Sequence, residues 1–144
     1  MRLTTFTDYS LRVLMYLALD RPRLATIPEI AHAFGVSENH LVKVVHRLAQ
    51  AGVIASVRGK GGGVRLARPP ERIRIGEIVR MTEGDAPIVE CFSDDNGCRI
   101  AGPCRLRRAL FDGFEALYAS LDRHTLADIA GNRRALAGAL HRAA

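Results

Sequence analysis

Two short helices with punctuated ends, joined by a tight turn across residues 26–52, constrain this chain more than anything else in it. Thr26 and Glu29 form a T-x-x-E capping box, and Pro28 sits in the first turn, where its missing N–H costs nothing. Ile27, Ile30, Ala31 and Phe34 supply one apolar stripe, and Gly35 ends the element as a residue that tolerates positive φ. After Gly35-Val36, Ser37 is a good N-cap, and Leu41, Val45 and Leu48 recur at helical spacing until Gly52 closes the second helix. The pattern predicts a helix-turn-helix. The outward side of its second helix carries Asn39, His40, Lys43, His46, Arg47 and Gln50, residue types that hydrogen-bond base edges and phosphates.

The flanks extend this to a winged helix. Phe6 to Leu19 reads as a helix apolar on most sides, which suggests that a partner subunit covers part of it. Val53–Val57 and Val64–Ala67 read as strands around a glycine-rich turn decorated by Arg58, Lys60 and Arg65. Basic residues on such a wing can reach phosphates or enter the minor groove. The G-K-G-G-G run lacks the spacing, the Ser/Thr and the strand-to-helix setting of a phosphate loop. His40 and His46 stand six apart, off a common face, and read as surface histidines rather than metal ligands.

Charge supports a polyanion partner. The net charge is +6, and residues 1–72 carry 11 Lys/Arg against 5 Asp/Glu, whereas 73–144 carry ten of each. No acidic residue occurs from Asn39 to Pro70, yet Lys43, Arg47, Arg58, Lys60, Arg65 and Arg68 do. There is no apolar run of about 18 residues, as a spanning helix needs. The apolar stretch Leu11–Leu19 has no small-residue cleavage site after it, so a cytoplasmic protein with reduced thiols is expected.

In the second half, Ile75–Met81 reads as a short amphipathic helix ending near Gly84, and Cys104–Asp122 as one long helix. Leu106, Leu110, Phe114, Leu117 and Leu121 form a continuous seam along it, interrupted only by the mild penalty of Gly113. With a winged-helix core already complete before it, this seam predicts dimerisation, which suits a two-fold DNA site. Thr125 caps a further short helix through Ala130, and the tail from Asn132 looks weakly held. The expected division is a DNA-binding domain over 1–84, a loop over 85–103, and a dimerisation helix with tail over 104–144.

That loop holds every cysteine: Cys91, Cys98 and Cys104, spaced C-x6-C-x5-C. An odd set excludes a complete disulfide framework. Structural zinc favours close pairs two to four residues apart, and none is present, so zinc is disfavoured. Buried spare thiols are also disfavoured, because the segment is polar, with Asp94, Asp95 and Asn96 between the cysteines. Loose spacing around Gly97, Gly102 and Pro103 fits a larger object such as an iron–sulfur cluster, and Arg99, Arg105, Arg107 and Arg108 would offset its charge. A fourth ligand is wanted; Asp8, Asp94, Asp95, Glu90 and His124 are equal candidates on the residues alone. A thiol oxidoreductase has little support, since no C-x-x-C pair occurs and no His adjoins the cysteines in sequence.

The order of helix, helix-turn-helix, Gly-rich basic wing, three-cysteine loop and long helix resembles the Rrf-two family of bacterial iron–sulfur transcription regulators. MRLTTFTDYSLRVLMYLA, RGKGGGVRLA and CFSDDNGCRIAGPCRLRRAL carry the likeness, and the last points to the nitric-oxide-sensing branch. The resemblance implies a mainly α fold with a small β-hairpin wing and a homodimeric repressor on a double-stranded DNA operator. It implies a 4Fe-4S cluster on Cys91, Cys98, Cys104 and Asp8 of the partner subunit, with 2Fe-2S the alternative. It implies DNA contacts from Ser37, Asn39, His40, Lys43, Arg47, Arg58, Lys60 and Arg65. A branch that follows iron or cluster supply has tighter cysteines and a His just after the last; here Arg105, Leu106, Arg107 and Arg108 follow Cys104.

Overall fold

The structure is a computed structural model describing residues 2–20, 22–84, 89–95 and 97–143, with only the backbone of 141–143. Residues 85–88 and Asn96 of the predicted loop lie outside the described residues. The elements run α1 (Thr5–Leu19), α2 (Ile27–Phe34), α3 (Glu38–Gln50), β1 (Ile54–Val57), β2 (Gly63–Leu66), α4 (Ile75–Glu83), α5 (Arg105–Asp122), α6 (Leu126–Ile129) and α7 (Arg133–Ala143). This is the expected mainly helical fold with a two-stranded antiparallel wing.

The helix-turn-helix forms for the reasons its sequence suggests. Thr26 and Glu29 close the capping box reciprocally, and Gly35 adopts φ 63° and ψ 37° at the end of α2. Ile30, Leu41, Val44 and Leu48 are fully buried and meet Val13, Leu14 and Leu17 of α1. Each such side chain contributes about 1.5–3 kcal/mol when taken out of water. α1 is the hub, touching α2, α3, α4, α6 and β2. Much of its all-round apolarity is thus met within the chain.

Long-range polar contacts fix its two ends. At the N-terminal end, the Glu83 carboxylate of α4 accepts from the Thr4 N–H (2.9 Å), the Thr4 hydroxyl (3.1 Å) and the Thr7 hydroxyl. Thr7 is fully buried and also lies 2.9 Å from the Thr82 hydroxyl. At the C-terminal end, Arg133 donates to the carbonyls of Ala18 (2.8 Å) and Leu19 (2.9 Å), groups a helix end leaves unsatisfied. The tail expected to be weakly held is therefore helix α7, packed on α2 and anchored by Arg133.

After α5 the chain returns to the winged helix. Leu126 is fully buried in the common core, and Arg74 and Thr125 form an isolated antiparallel bridge. α5 rests mainly on α4, where Arg80 pairs with Asp122 (2.5 Å) and lies 4.7 Å from the Tyr118 ring centre. The close approach requires Gly76: a Cβ there would stand 2.1 Å from Asp122 Oδ1.

Candidate nucleic-acid interface and cysteine loop

The first site is the outer face of α3 with the wing beside it. Burial of Leu41, Val44, Val45 and Leu48 leaves Asn39, His40, Lys43, His46, Arg47 and Gln50 exposed, as their helical phase requires. Ser37 stands at the N-cap with extended backbone, but its hydroxyl makes no capping bond and is exposed. His40 is shared with α1: its ring centre lies 6.1 Å from that of Tyr9. A groove of about 320 Å³ runs there between Thr5, Phe6, Tyr9, His40, Lys43 and Val44. Nothing local in the sequence marks Tyr9, because no local pattern shows which turn of α1 faces α3.

The wing pairs Ile54 with Leu66 and Val57 with Gly63. Its glycines are required by the turn, since Gly59 and Gly61 have φ of 98° and 79°, and a Cβ on Gly62 would stand 2.3 Å from the Val57 carbonyl. The turn presents Arg58 and Lys60 to solvent, and β2 presents Arg65. Arg68 is instead engaged with Glu77 at 2.8 Å.

The second site is the cysteine loop. Cys91 lies in a single 3-10 turn, Cys98 accepts through its carbonyl from the Ala101 N–H (3.2 Å), and Cys104 is the N-cap of α5. Its Sγ accepts from the Arg107 N–H at 3.4 Å, so a sulfur occupies the helix end that favours negative charge. All three thiols are free and half-buried. Phe92 anchors the loop to α5 edge-on against Phe111 and Phe114, with ring centres 6.1 and 6.2 Å away. A cavity of about 390 Å³ opens beside Cys104, lined by Phe92, Arg107, Arg108 and Phe111 among others.

Three soft donors on one loop, one at a helix N-terminus beside cationic side chains, suit an iron–sulfur cluster in donor chemistry. Among the described residues, however, no three His, Cys, Asp or Glu side chains gather as a metal site within the single chain. Asp8 projects from α1 with 46% of its side chain exposed, and Arg12 pairs with it at 2.8 Å. The guanidinium of Arg12 also lies 5.9 Å from the ring centres of Tyr9 and Phe34.

Along α5, no residue is fully buried. Leu106 is 65% exposed, while Leu110, Phe114, Leu117 and Leu121 are half-buried. No helix among the described residues is long and apolar enough to cross a membrane.

A helix-turn-helix with a basic wing, followed by a three-thiol loop on a partly exposed helix, defines the class. The chain belongs to the Rrf2 (Rrf-two) family, whose profile, described as an iron-dependent transcriptional regulator, matches residues 3–132. It is thus a DNA-binding transcription regulator, not an enzyme. Among curated proteins it is similar to the HTH-type transcriptional regulator NsrR of Bacillus subtilis (strain 168), 49% identical over 135 residues and 92% of each chain. NsrR of Geobacillus kaustophilus (strain HTA426) is 46% identical over 94% of each. Among solved structures, CymR, the global cysteine regulator of B. subtilis, matches with a TM-score of 0.73 at 29% identity, over 91% of this chain and 97% of that one. IscR of T. potens matches with a TM-score of 0.71 at 28% identity, over 92% and 88%.

Proposed function

We propose that this chain is a homodimeric, iron–sulfur-dependent transcriptional repressor that leaves its DNA operator when nitric oxide reaches the cluster. The observation that carries the reading is the loop of three free thiols, with Cys104 at the head of a long helix whose apolar seam is only partly covered, Leu106 being 65% exposed. Similarity to proteins named NsrR and the nitric-oxide branch's cysteine spacing support it.

Cys91, Cys98 and Cys104 would hold a 4Fe-4S cluster, with Asp8 of the partner subunit as the fourth ligand. When bound, such a cluster supplies iron that nitric oxide attacks, most readily where a hard carboxylate is the ligand. The seam of Leu106, Leu110, Phe114, Leu117 and Leu121 would pair two copies and set the distance between their α3 helices. Ser37, Asn39, His40, Lys43 and Arg47 would enter the major groove, while Arg58, Lys60 and Arg65 would engage the backbone or the minor groove. Loss of the Asp8 bond would free α1 from the partner and change that distance.

Anaerobic titration with nitric oxide, followed by absorbance and gel shift together, tests the reading. Brown protein containing iron and sulfide, bleached in step with DNA release, is expected. Asp8→Ala protein with an unchanged cluster spectrum and nitric oxide response would remove Asp8 from the ligand set. A second reading, response to iron or cluster supply, draws on the family's iron-dependent description. It predicts DNA release on iron chelation and none with nitric oxide. Colourless protein with stoichiometric zinc would favour neither.

A further inference from the structure

We infer that Val42 reads a thymine methyl group in the major groove, as the one apolar contact among the polar residues of α3; this rests on the DNA-binding face proposed above. Val42 lies in the second turn of α3 and is 51% exposed. Its neighbours at three residues before and four after, Asn39 and His46, are exposed, as is Lys43 beside it. The core is served from the other side of the helix by Leu41, Val44, Val45 and Leu48, so Val42 is not a displaced core residue.

A β-branched residue on an open helix face lowers helix propensity relative to Ala or Lys. Lone exposed apolar residues are common, so location decides what this one does. The other large exposed hydrophobics among the described residues lie elsewhere: Ile100, Leu106 and Phe111 near the cysteine loop and α5, Leu3 at the N-terminal end, and Val57 on the wing. Val42 is the member of that set on α3. A protein seated there would also have to bury Asn39, Lys43 and His46, in a stretch with no acidic residue from Asn39 to Pro70. That charge pattern favours a polyanion.

The major groove presents an apolar group at only one base, the thymine C5 methyl, and short aliphatic side chains are what contact it. The early turns of a recognition helix are the part that meets base edges. Asn39, one turn earlier on the same side, is of the type that pairs with adenine N6 and N7. Val42 therefore adds discrimination that hydrogen bonding by its neighbours does not supply. Removing one methyl from such a contact changes affinity about fourfold, equivalent to about 0.8 kcal/mol.

The test uses full-length protein purified anaerobically and duplexes selected by it from a random pool. In the selected sequence, each thymine is replaced singly by deoxyuridine, which deletes the methyl and nothing else. Affinity is measured at one salt concentration for the wild type, Val42→Ala and Val42→Thr, each checked for native helicity. The expected result is a thymine in each half-site whose methyl deletion weakens the wild type about fourfold. The same deletion should cost Val42→Ala clearly less than the wild type, while Val42→Thr, which keeps one γ-methyl, falls between. Equal binding of every deoxyuridine duplex by the wild type, or equal losses in Val42→Ala, overturns the inference while leaving DNA binding intact. A pool that yields no enriched sequence overturns the DNA-binding face itself, and this inference with it.

Discussion

Glu83→Ala should loosen the start of α1, and the size of the effect follows from what each bond becomes. In the native protein the carboxylate accepts from Thr4 twice and from Thr7 once. The two Thr4 groups are exposed and regain water when the carboxylate is removed. The buried Thr7 hydroxyl cannot, but it can turn to the Thr82 oxygen 2.9 Å away. One charge-assisted bond is therefore lost with partial recovery. The expected cost is about 2 kcal/mol, or a fall in Tm of about 4–8 °C for a chain of this size. Partial burial pushes the Glu83 carboxyl upward, but the bonds from Thr7 and Thr4 outweigh it and hold the carboxyl below its ordinary 4.5. A lowered value means the stabilisation is present above pH 4.5 and disappears as pH falls through the folded value. The stability difference between wild type and Glu83→Gln, which keeps an acceptor without the charge, should therefore shrink between pH 6 and pH 3. Urea unfolding of reduced protein by circular dichroism measures both. A loss below about 0.5 kcal/mol in Glu83→Ala, or a Glu83→Gln difference independent of pH, would refute the reasoning.

Gly76→Ala should cost about 1–3 kcal/mol and loosen α5 from α4, because the new methyl meets Asp122 Oδ1 at 2.1 Å and Asp122 N at 3.1 Å. Urea unfolding reads the loss, and an unchanged midpoint would contradict the close packing. Leu110→Lys places a charge in the α5 seam and should convert the proposed dimer to a monomer in sedimentation, with the circular dichroism spectrum preserved. Operator affinity should fall by roughly 10³ to 10⁵ between 50 and 200 mM salt if about 6–10 phosphates are contacted per dimer. A flat salt dependence in gel shift would contradict the role given to Lys43, Arg47, Arg58, Lys60 and Arg65.

The parts legible in the sequence are those whose causes are local. The Thr26–Glu29 box and Gly35 sit within ten residues of one another, and each feature has a single good conformational outcome. The wing was legible for the same reason: its glycines occupy backbone conformations and close contacts that a Cβ would not permit. The remainder rests on distant pairs. Arg133 bonds the end of α1 from 114 and 115 residues away, and Glu83 clips its start from 76 and 79. No local pattern in the tail beyond Asn132 distinguishes an anchoring arginine from a solvated one. The cysteines present the converse case. Their spacing signals metal chemistry, yet among the described residues of one chain no three such side chains gather as a metal site, so the spacing alone does not bring the thiols together.

α1 links the two proposed sites. Asp8 and Tyr9 are successive residues of one helix, with Asp8 facing outward and Tyr9 lying against His40 of α3. The helix behind them is held by fully buried Val13 and Leu14, and its ends are tied by Glu83 and Arg133. Because cores are close-packed, such a rod shifts as a unit more readily than it bends. If Asp8 binds a cluster in the partner subunit, a pull at Asp8 therefore reaches α3 through Tyr9 without a flexible joint between them. The Arg12 pair does not prevent this. An exposed pair four residues apart is worth about 0.3–0.5 kcal/mol, too little to withhold a carboxylate from a metal. If Asp8 is a ligand, Arg12 would be the group that receives it on loss of the metal, so that α1 would stay folded in both conditions and only the direction of its outer face would change.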